Sequence, residues 1–459
     1  MLIDFTLENF KSFYKPQRLN MVPGKYRNKP NHVVRRKNVN VLKLSTIYGA
    51  NASGKSNLVE AIAFLKHIII KGKIEFKFKD LCFKLNEESK NKPTNFECKI
   101  LIEEKIYAFG LSVNLNNNRV EREYLYEIRV ASEKLIYDFD YKNDNMILME
   151  NDINKENKER INIYMKDIKN QKNELFLSHI SKLNFDNKDY FINSIRSIFT
   201  WFFLSLKIIT PNTHSNFMDV FDEKSLDEEV NILDLLKDLD TGITDYSKET
   251  IERKRFEKIL SEDFGTYEME VIEEINKKID SLEEKEGIIL STSRNYFRIK
   301  KLKGKDDVEI DSLKFRHCDK NCAEFSYNEE SDGTKRLIEL ANILIISNKK
   351  NRNVFIVDEL NRSLHPNMTV EFVKKFIDIN KEKEGNQLII TTHEAALMDL
   401  NILRQDEIWF VDRDSEGYSN LIPLSKYNIR NDKVLNKDYL VGRYNGIPHI
   451  IKIYEKDME

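Results

Sequence analysis

The spacing of apolar residues predicts an α/β chain that changes character in its middle third. Residues 1–20 alternate as a strand does, and a second apolar run over 39–48 ends at Gly49. Over residues 57–70, apolar side chains recur every three or four positions, which predicts a helix. Several β-rich runs separated by short polar turns occupy 96–137, so we expect an antiparallel layer there.

Residues 151–284 are more polar and carry two amphipathic stripes. The stripes consist of Leu226, Val230, Leu233, Leu236 and Leu239, and of Val271, Ile272, Ile275, Ile279 and Leu282. Neither continues as heptads over several repeats, as a long coiled coil requires. After Gly287 short strands return and then alternate with helices. We therefore predict an inserted helical subdomain at 151–284 between the two parts, 1–150 and 285–459, of one α/β domain.

Composition narrows the class of protein. The 459 residues include 74 Lys and Arg and 76 Asp and Glu, for a net charge of −2. A near-neutral total excludes a wholly basic nucleic-acid coat but leaves a local basic face open. Four cysteines are too few for a disulfide framework in a chain of this length, so we expect free thiols in a reducing compartment. They are Cys82, Cys98, Cys318 and Cys322.

Nothing in the sequence predicts a membrane segment. Asp4 stands where a signal peptide would carry basic residues before an apolar stretch. The most apolar stretch, 197–210, is interrupted by Lys207 and is shorter than the ~20 residues that span a bilayer. We expect a soluble, cytoplasmic protein with no membrane partner.

A glycine-rich turn between the apolar run 39–48 and the helix at 57–70 is the strongest chemical motif. It fits GxxxxGK[ST] at every fixed position, and its residues, with the one that follows, are Gly49, Ala50, Asn51, Ala52, Ser53, Gly54, Lys55, Ser56 and Asn57. Such a turn aims backbone N–H groups at phosphates, beside the favourable dipole of the helix N-terminus. We expect Lys55 to reach the β- and γ-phosphates of ATP and Ser56 to ligate Mg²⁺. A chance match is disfavoured by the strand–helix context.

Three further motifs complete a set of ATP-directed groups. The apolar run Val354–Val357 ends in Asp358, placed to hold Mg²⁺, and Glu359, placed to polarise the attacking water. Ser331 and Gly333 precede an apolar helix and offer a second anion site, or else an ordinary N-cap. A last apolar strand ends in His393, and a lone histidine at a strand end is more often structural than catalytic.

The order of these motifs resembles the ABC ATPases, and most closely the SMC-like branch with the AbiL/RloA-like ATPases of bacterial phage defence. The opening at 9–13, the extension 358–366 and the tail 440–448 carry this closer resemblance. It implies a P-loop ABC ATPase head in which Ser331 and Gly333 of one subunit complete the ATP site of another, while His393 contacts the γ-phosphate in its own subunit. Thr334 departs from the family's usual glutamine, and no Q-loop glutamine is identified.

The resemblance implies a homodimer around ATP that controls a separate effector, a nuclease or toxin encoded nearby, during abortive infection. An SMC/RecF-like DNA-repair ATPase and a slowly hydrolysing scaffold remain open alternatives. Residues 9–59 contain no acid and many Lys and Arg, so this segment could hold nucleic acid, dock an acidic partner or flank an anionic cofactor. A zinc site at His317, Cys318 and Cys322 would need a fourth ligand at the spacing of a zinc finger, and the sequence has none. We therefore expect free thiols there.

Overall fold

The computed structural model of the chain describes residues 1–149, 153–185, 189–211, 221, 231–264, 269–283, 287–292, 295–302, 304, 307–348, 352–383, 385–427, 429 and 435–444. The chain forms two compact units, each assembled from separate stretches of sequence. The first unit consists of 1–211, 351–361 and 380–459, and the second of 212–350 and 362–379.

Both units contain strands and helices. The strands are β1 (Leu2–Glu8), β2 (Gln17–Asn20), β3 (Val33–Arg35), β4 (Asn40–Leu42), β5 (Leu44–Tyr48), β6 (Thr94–Ile102), β7 (Lys105–Asn114), β8 (Arg119–Ile128), β9 (Glu133–Asp140), β10 (Asn145–Leu148), β11 (Leu206–Ile209), β12 (Ile243–Thr250), β13 (Gly287–Ser291), β14 (Tyr296–Lys301), β15 (Val308–Cys318), β16 (Cys322–Ser326), β17 (Val354–Val357), β18 (Gln387–Thr391), β19 (Ile408–Arg413) and β20 (Ser419–Pro423). The helices are α1 (Lys55–Lys71), α2 (Lys155–Asn170), α3 (Phe176–Lys182), α4 (Tyr190–Thr200), α5 (Ile232–Asp238), α6 (Arg253–Phe264), α7 (Met269–Asp280), α8 (Asp332–Asn348), α9 (Pro366–Ile379) and α10 (Leu435–Leu440). Among the helices in the described ranges, none is long and apolar enough to cross a membrane.

A six-stranded sheet forms the centre of the first unit, in the order β11-β17-β18-β5-β19-β20. Its strands are parallel except for the antiparallel edge strand β20. Every residue of β5, β17 and β18 is buried, as expected for strands of a covered parallel sheet. Parallel strands end at one edge of a sheet, so the residues that follow β5, β17 and β18 meet there.

A seven-stranded antiparallel sheet, β10-β9-β8-β7-β6-β1-β2, accompanies the central sheet in the first unit. The antiparallel layer predicted at 96–137 is therefore confirmed, and β1 and β2 extend it. Helix α1 buries one face, including Leu58, Ile62 and Leu65, and ends at Gly72, whose left-handed φ of 85° suits a helix C-terminus. The predicted α/β class with an antiparallel layer is confirmed.

The second unit is built around an antiparallel sheet in the order β12-β15-β14-β13, with β16 also paired to β15. Phe256 and Leu260 of α6 pack in a core with Phe297, Ile299 and Ile310 of the sheet. The second predicted stripe contributes Ile279 to this core and rests Ile272 and Ile275 against it. The apolar face predicted for α7 therefore packs against this core, as the sequence indicated.

The prediction of an inserted helical subdomain at 151–284 matches the structure only in part, because the segment contains strands as well as helices. This segment supplies β11 to the central sheet of the first unit and β12 to the sheet of the second, and residues 151–211 belong to the first unit. The reason is a long-range pairing, because Leu206–Ile209 pairs along its length with β17, which begins at Val354. Of the first predicted stripe, Leu226 and Val230 lie outside the described residues, while Leu236 and Leu239 are buried.

The prediction of free thiols is correct for Cys82 and Cys98, which are buried and unpaired. It is wrong for Cys318 and Cys322, which form a disulfide. These two residues lie directly opposite each other in the β15–β16 register, a relation that their spacing in the sequence does not reveal.

Candidate functional site

The glycine-rich turn joins β5 to α1 and leaves no room for larger residues at its glycines. A Cβ atom on Gly49 would lie 2.5 Å from both Ser53 Oγ and the carbonyl oxygen of Val411. Gly54 has a left-handed φ of 117°, and a Cβ atom there would overlap the hydroxyls of Ser419 and Ser12. Only glycine satisfies both requirements, so the motif fixes the path of the backbone.

Three polar side chains hold this turn in place from outside the motif. The Ser419 hydroxyl donates to the carbonyl oxygen of Ser53 (2.5 Å) and lies 2.7 Å from Ser12 Oγ. Ser12 Oγ also accepts a hydrogen bond from Asn57 Nδ2 (2.7 Å), and Ser419 N donates to the Ser12 carbonyl (2.8 Å). The opening at 9–13 and the strand β20 therefore clamp the turn between them.

Lys55 is buried within the turn it belongs to. Its Nζ donates to the carbonyl oxygens of Gly49 (2.7 Å) and Ala50 (2.9 Å). Burial lowers the pKa of Lys55 to about 8, against the opposing effect of the Asp358 and Glu359 carboxylates. An ammonium group with so depressed a pKa gains from an additional anion nearby.

Ser53 offers a further observation on what this turn can hold. Its Oγ is buried and has no hydrogen-bond partner among the described residues. A buried hydroxyl without a partner is costly unless a ligand satisfies it. The unpartnered hydroxyl, the tight glycines and the Lys55 ammonium together fit a phosphate group.

The two carboxylates after β17 are organised by Thr391 at the end of β18. Thr391 Oγ1 donates to Asp358 Oδ1 (2.5 Å) and accepts a hydrogen bond from Glu359 N (2.8 Å). Asp358 is buried, whereas Glu359 is half-buried and has a left-handed φ of 49°. One hydroxyl thus fixes the first carboxylate and the backbone of the second.

His393 is held by its backbone and has a neutral ring. Asn361 Oδ1 accepts hydrogen bonds from Thr392 Oγ1 (2.9 Å) and from His393 N (3.2 Å). Burial lowers the pKa of His393 to about 4, aided by the charge of Lys55 and opposed by Asp358. Near neutral pH the imidazole is therefore uncharged and keeps one N–H donor.

The first unit contains a cavity of about 580 Å³ next to the glycine-rich turn. Residues 51–57 line it together with Ser12, Glu359, His393 and Arg413. The structure thus brings together the predicted turn, the predicted base and the predicted histidine. Arg413 also lines the cavity but was not predicted from the sequence. Its Nε donates a hydrogen bond to the Gly417 carbonyl oxygen (2.9 Å).

The predicted metal ligands are Ser56, which lines the cavity, and Asp358, which Thr391 fixes. Across the described ranges, no group of three or more His, Cys, Asp or Glu side chains forms a metal cluster. Mg²⁺ in nucleotide sites takes one or two protein ligands and otherwise phosphate and water, so a hydroxyl with one carboxylate suits it.

Sequence reasoning did not find Thr391, Asn361, Ser419 or Arg413. Thr391 carried a usable signal, because it directly precedes the Thr392–His393 pair at a strand end. Asn361 also carried a usable signal, because it lies two residues after the predicted base, Glu359. Ser419 and Arg413 carried none, since they reach the turn only through the pairing of β19 with β5 and β20.

Ser331 and Gly333 lie in the second unit, at the start of α8. Ser331 Oγ accepts from Thr334 N (3.1 Å) and also bonds Thr334 Oγ1 (2.9 Å), so Ser331 is the helix N-cap. Ser331 is exposed, and a Cβ atom on Gly333 would approach the Ser363 carbonyl oxygen to 2.9 Å. The backbone N–H and the hydroxyl of Thr334 are therefore both engaged with Ser331.

The chain matches the model of a family described as AAA domain, putative AbiEii toxin, Type IV TA system (AAA_21), over residues 44–196 and 211–399. No curated protein sequence matches it.

Solved structures similar to the chain include an SMC head domain from Thermotoga maritima, 15% identical, with a TM-score of 0.37 over 92% of this chain and 98% of that one. Another is an Smc head domain with an extended coiled coil, bound to the C-terminal domain of ScpA and derived from Pyrococcus furiosus. It is 14% identical, with a TM-score of 0.40 over 93% and 97% of the two chains. A third, an Smc head domain with a coiled coil and joint from Pyrococcus yayanosii, is 14% identical, with a TM-score of 0.39 over 96% and 99%.

Proposed function

Because the chain belongs to the AAA_21 family of AAA domains, we propose that it is an ABC-type ATPase that binds and hydrolyses ATP in the cavity of its first unit. One observation carries the proposal: Lys55, Glu359 and His393, which follow three different strands of the central sheet, line a single cavity around the glycine-rich turn. A phosphate cradle, a base and a neutral donor are the parts that phosphoryl transfer to water requires.

Each residue has a separate task in this mechanism. The N–H groups of the turn and Lys55, released from the Gly49 and Ala50 carbonyls, bind the β- and γ-phosphates. Ser56 and Asp358 would hold Mg²⁺, and the bound ion would supply positive charge to the phosphate oxygens. Glu359 orients the attacking water and accepts its proton, and the uncharged His393 donates a hydrogen bond towards the γ-phosphate.

Two variants test this division of tasks. Lys55→Ala should weaken ATP binding by roughly 100-fold or more, because a charge-assisted contact to phosphate is lost. Glu359→Gln should bind ATP within about threefold of the parent and turn it over at least about 100 times more slowly. Equilibrium nucleotide binding and phosphate release measure the two effects.

The exposed residues Lys37 and Glu382 provide matched controls. Lys37→Ala and Glu382→Gln make the same chemical changes away from the cavity and should leave both measurements unchanged. Undiminished turnover in Glu359→Gln would remove Glu359 from the role of base. Parent-like ATP affinity in Lys55→Ala would remove the cavity from the role of ATP site.

The proposed assembly is a two-fold dimer in which Ser331 and Gly333 of one subunit complete the ATP site of the other. Its support is the family resemblance, together with the exposure of Ser331 at a helix N-terminus. In a Glu359→Gln background, saturating ATP should double the mass measured by light scattering. Mixing Lys55→Ala with Ser331→Arg chains should restore one working site per pair, and neither variant alone should show turnover.

The proposed setting is bacterial phage defence, with a separate nuclease or toxin as the effector. ATP biases such a partner only if the two nucleotide states contact it differently. Cells carrying the whole locus should resist some phages, and Lys55→Ala should abolish that resistance. Resistance that survives Lys55→Ala would separate the ATPase from defence.

A DNA-directed function is the second candidate, and an exposed basic group favours it. Lys25, Arg27, Arg35 and Lys37 lie in the acid-free segment, are exposed, and form no ion pair with any residue of the described ranges. Unpaired cations can release counterions from phosphate backbones. Tight DNA binding with a steep salt dependence, and ATP turnover that rises on DNA, would give this function precedence.

A further inference from the structure

We propose that Cys318 and Cys322 form a reversible thiol–disulfide site, and that the closed disulfide steadies the turn at Ser331 and Gly333. The proposal concerns the second unit and, in its effect on ATP-driven assembly, rests on the proposed dimer. Its first support is position: the two cysteines face each other across β15 and β16, with Cα atoms 4.2 Å apart.

The disulfide is open to reagents in solution. Residues 319–321 between the cysteines are exposed, and so are the first four residues of β16, from Cys322 to Phe325. An accessible cysteine pair is the kind that exchanges with small thiols, whereas disulfides buried in a core resist them. In a reducing compartment such pairs are transient and serve as sensors rather than as scaffolding.

The strand that the disulfide holds leads directly into the turn at Ser331. β16 is paired to β15 and ends at Ser326, and Ser326 opens a short 3₁₀ turn closed by Glu329. Glu330 follows, then Ser331. Within the described ranges, β16 is therefore the last regular element before the N-cap of α8.

A side-chain contact provides a second link between the disulfide and that turn. His317, adjacent to Cys318, bonds through Nε2 to Glu330 Oε1 (2.8 Å), and Glu330 is buried. The His317 ring packs edge-on against Phe325 of β16, with centroids 5.3 Å apart. Opening the disulfide loosens β16, the Phe325 contact and the support of His317 for Glu330.

The chemistry is thiol–disulfide exchange with a low-molecular-weight disulfide such as oxidised glutathione. The thiolate of one cysteine attacks a glutathione sulfur, the glutathione S–S bond breaks, and one glutathione thiol leaves. The second cysteine attacks the mixed disulfide, the protein S–S bond forms, and a second glutathione leaves. The two cysteine sulfurs are oxidised, the glutathione disulfide is reduced to two thiols, and these take the two protons.

The first test follows the bond and the backbone together. The chain is equilibrated in glutathione buffers of increasing oxidising strength. Mass spectrometry of the peptide that contains both cysteines then detects the loss of two hydrogen atoms when the disulfide forms. Amide hydrogen exchange is then compared between the two forms. We expect amides of β16 and of 330–335 to exchange at least about tenfold more slowly in the disulfide form, because closing the loop restricts the open state.

Three variants separate the causes. Cys318→Ser should abolish the redox response, while Cys82→Ala with Cys98→Ala, a matched change at the other two cysteines, should preserve it. His317→Ala should keep the response of the β16 amides and lose that of 330–335. A peptide that stays reduced in every glutathione buffer, or exchange at 330–335 that is equal in both forms, would overturn the proposal.

The functional readout uses the Glu359→Gln background. We expect ATP-driven dimerisation to be about threefold or more tighter in the disulfide form, and equal in both conditions for Cys318→Ser. A monomer in both conditions would overturn the composite ATP site alone, and the exchange comparison would still decide the thiol–disulfide site.

Discussion

Two turns in this chain look alike in sequence and differ in structure. Each places a serine and a glycine at the start of a long helix, α1 in the first unit and α8 in the second. Ser53 and Gly54 of the first turn are buried and clamped by Ser12 and Ser419, and the Ser53 hydroxyl has no partner among the described residues. The second is exposed, and its Ser331 hydroxyl is already used by Thr334.

The difference shows when the structure of a single subunit is enough to infer that a ligand binds. A buried polar group without a partner carries a free-energy cost that a ligand removes, so the first turn indicates an anion by itself. The second turn is complete as a helix cap, so its own geometry indicates nothing further. A role for Ser331 in ATP chemistry therefore rests on the proposed dimer. Four measurements can sharpen or break this contrast.

The largest difference between the two turns should appear in ATP affinity when the glycine of each turn is replaced by alanine. Gly54→Ala should weaken ATP binding by about 100-fold or more, since its φ of 117° disfavours alanine and the methyl group overlaps Ser419 and Ser12. Gly333→Ala should leave ATP affinity of the monomer within about twofold. Calorimetric titration with ATP gives both numbers. Equal losses at the two glycines would erase the contrast.

The next effect concerns the support that Thr391 gives to the carboxylates. Thr391→Val removes the hydrogen bonds to Asp358 and to Glu359 N, and ATP turnover should fall roughly tenfold or more. Thr391→Ser keeps the hydroxyl and should recover most of the rate. Steady-state phosphate release measures both variants. If valine were as active as serine, Thr391 would only fill space.

The third effect is the pH dependence of ATP binding. The free pKa of Lys55 is about 8, and bound phosphate favours its charged form, so the pKa rises on binding. Affinity should therefore be level below about pH 7 and fall roughly tenfold by pH 9, because ATP binding then requires uptake of a proton. Lys55→Arg should give a profile without that fall. A level parent profile to pH 9 would contradict the shifted pKa.

The smallest effect compares the two serines in the stability of the protein. Ser331→Ala removes a helix N-cap and should lower the local free energy of opening of α8 by ~1 kcal/mol. Ser53→Ala removes a hydroxyl that bonds to no other described group and should change stability by less than about 0.5 kcal/mol while weakening ATP binding. Native-state hydrogen exchange measures both. A larger stability loss at Ser53 than at Ser331 would reverse the comparison.

The sequence predicted those features whose chemistry is local. The turn at 49–56 is recognisable because its motif occupies consecutive residues, and Asp358 and Glu359 follow an apolar strand. The antiparallel layer at 96–137 was predictable from turns between adjacent strands. The catalytic and binding roles of these residues stay predictions.

What the sequence did not predict depends on distant pairing. Ser419 contacts Ser53 across 366 residues, and nothing near either serine indicates the other. The strand β11 was missed because its neighbour β17 lies in a remote stretch. The four residues Leu206–Ile209, which include Lys207, could equally be part of a buried helix. The disulfide was missed because a hairpin register, rather than a spacing, brings its sulfurs together.

The position of β5 in the central sheet has a consequence for synthesis on the ribosome. β5 ends at Tyr48, yet its two neighbours are β18, which begins at Gln387, and β19, which begins at Ile408. At ~5–20 residues per second, the nascent chain carries β5 without either neighbour for tens of seconds. Two open edges on a strand that is wholly buried in the folded protein invite pairing with other chains. Fragments that stop before β18 should therefore aggregate or bind chaperones, however well the antiparallel sheet at their N-terminus folds.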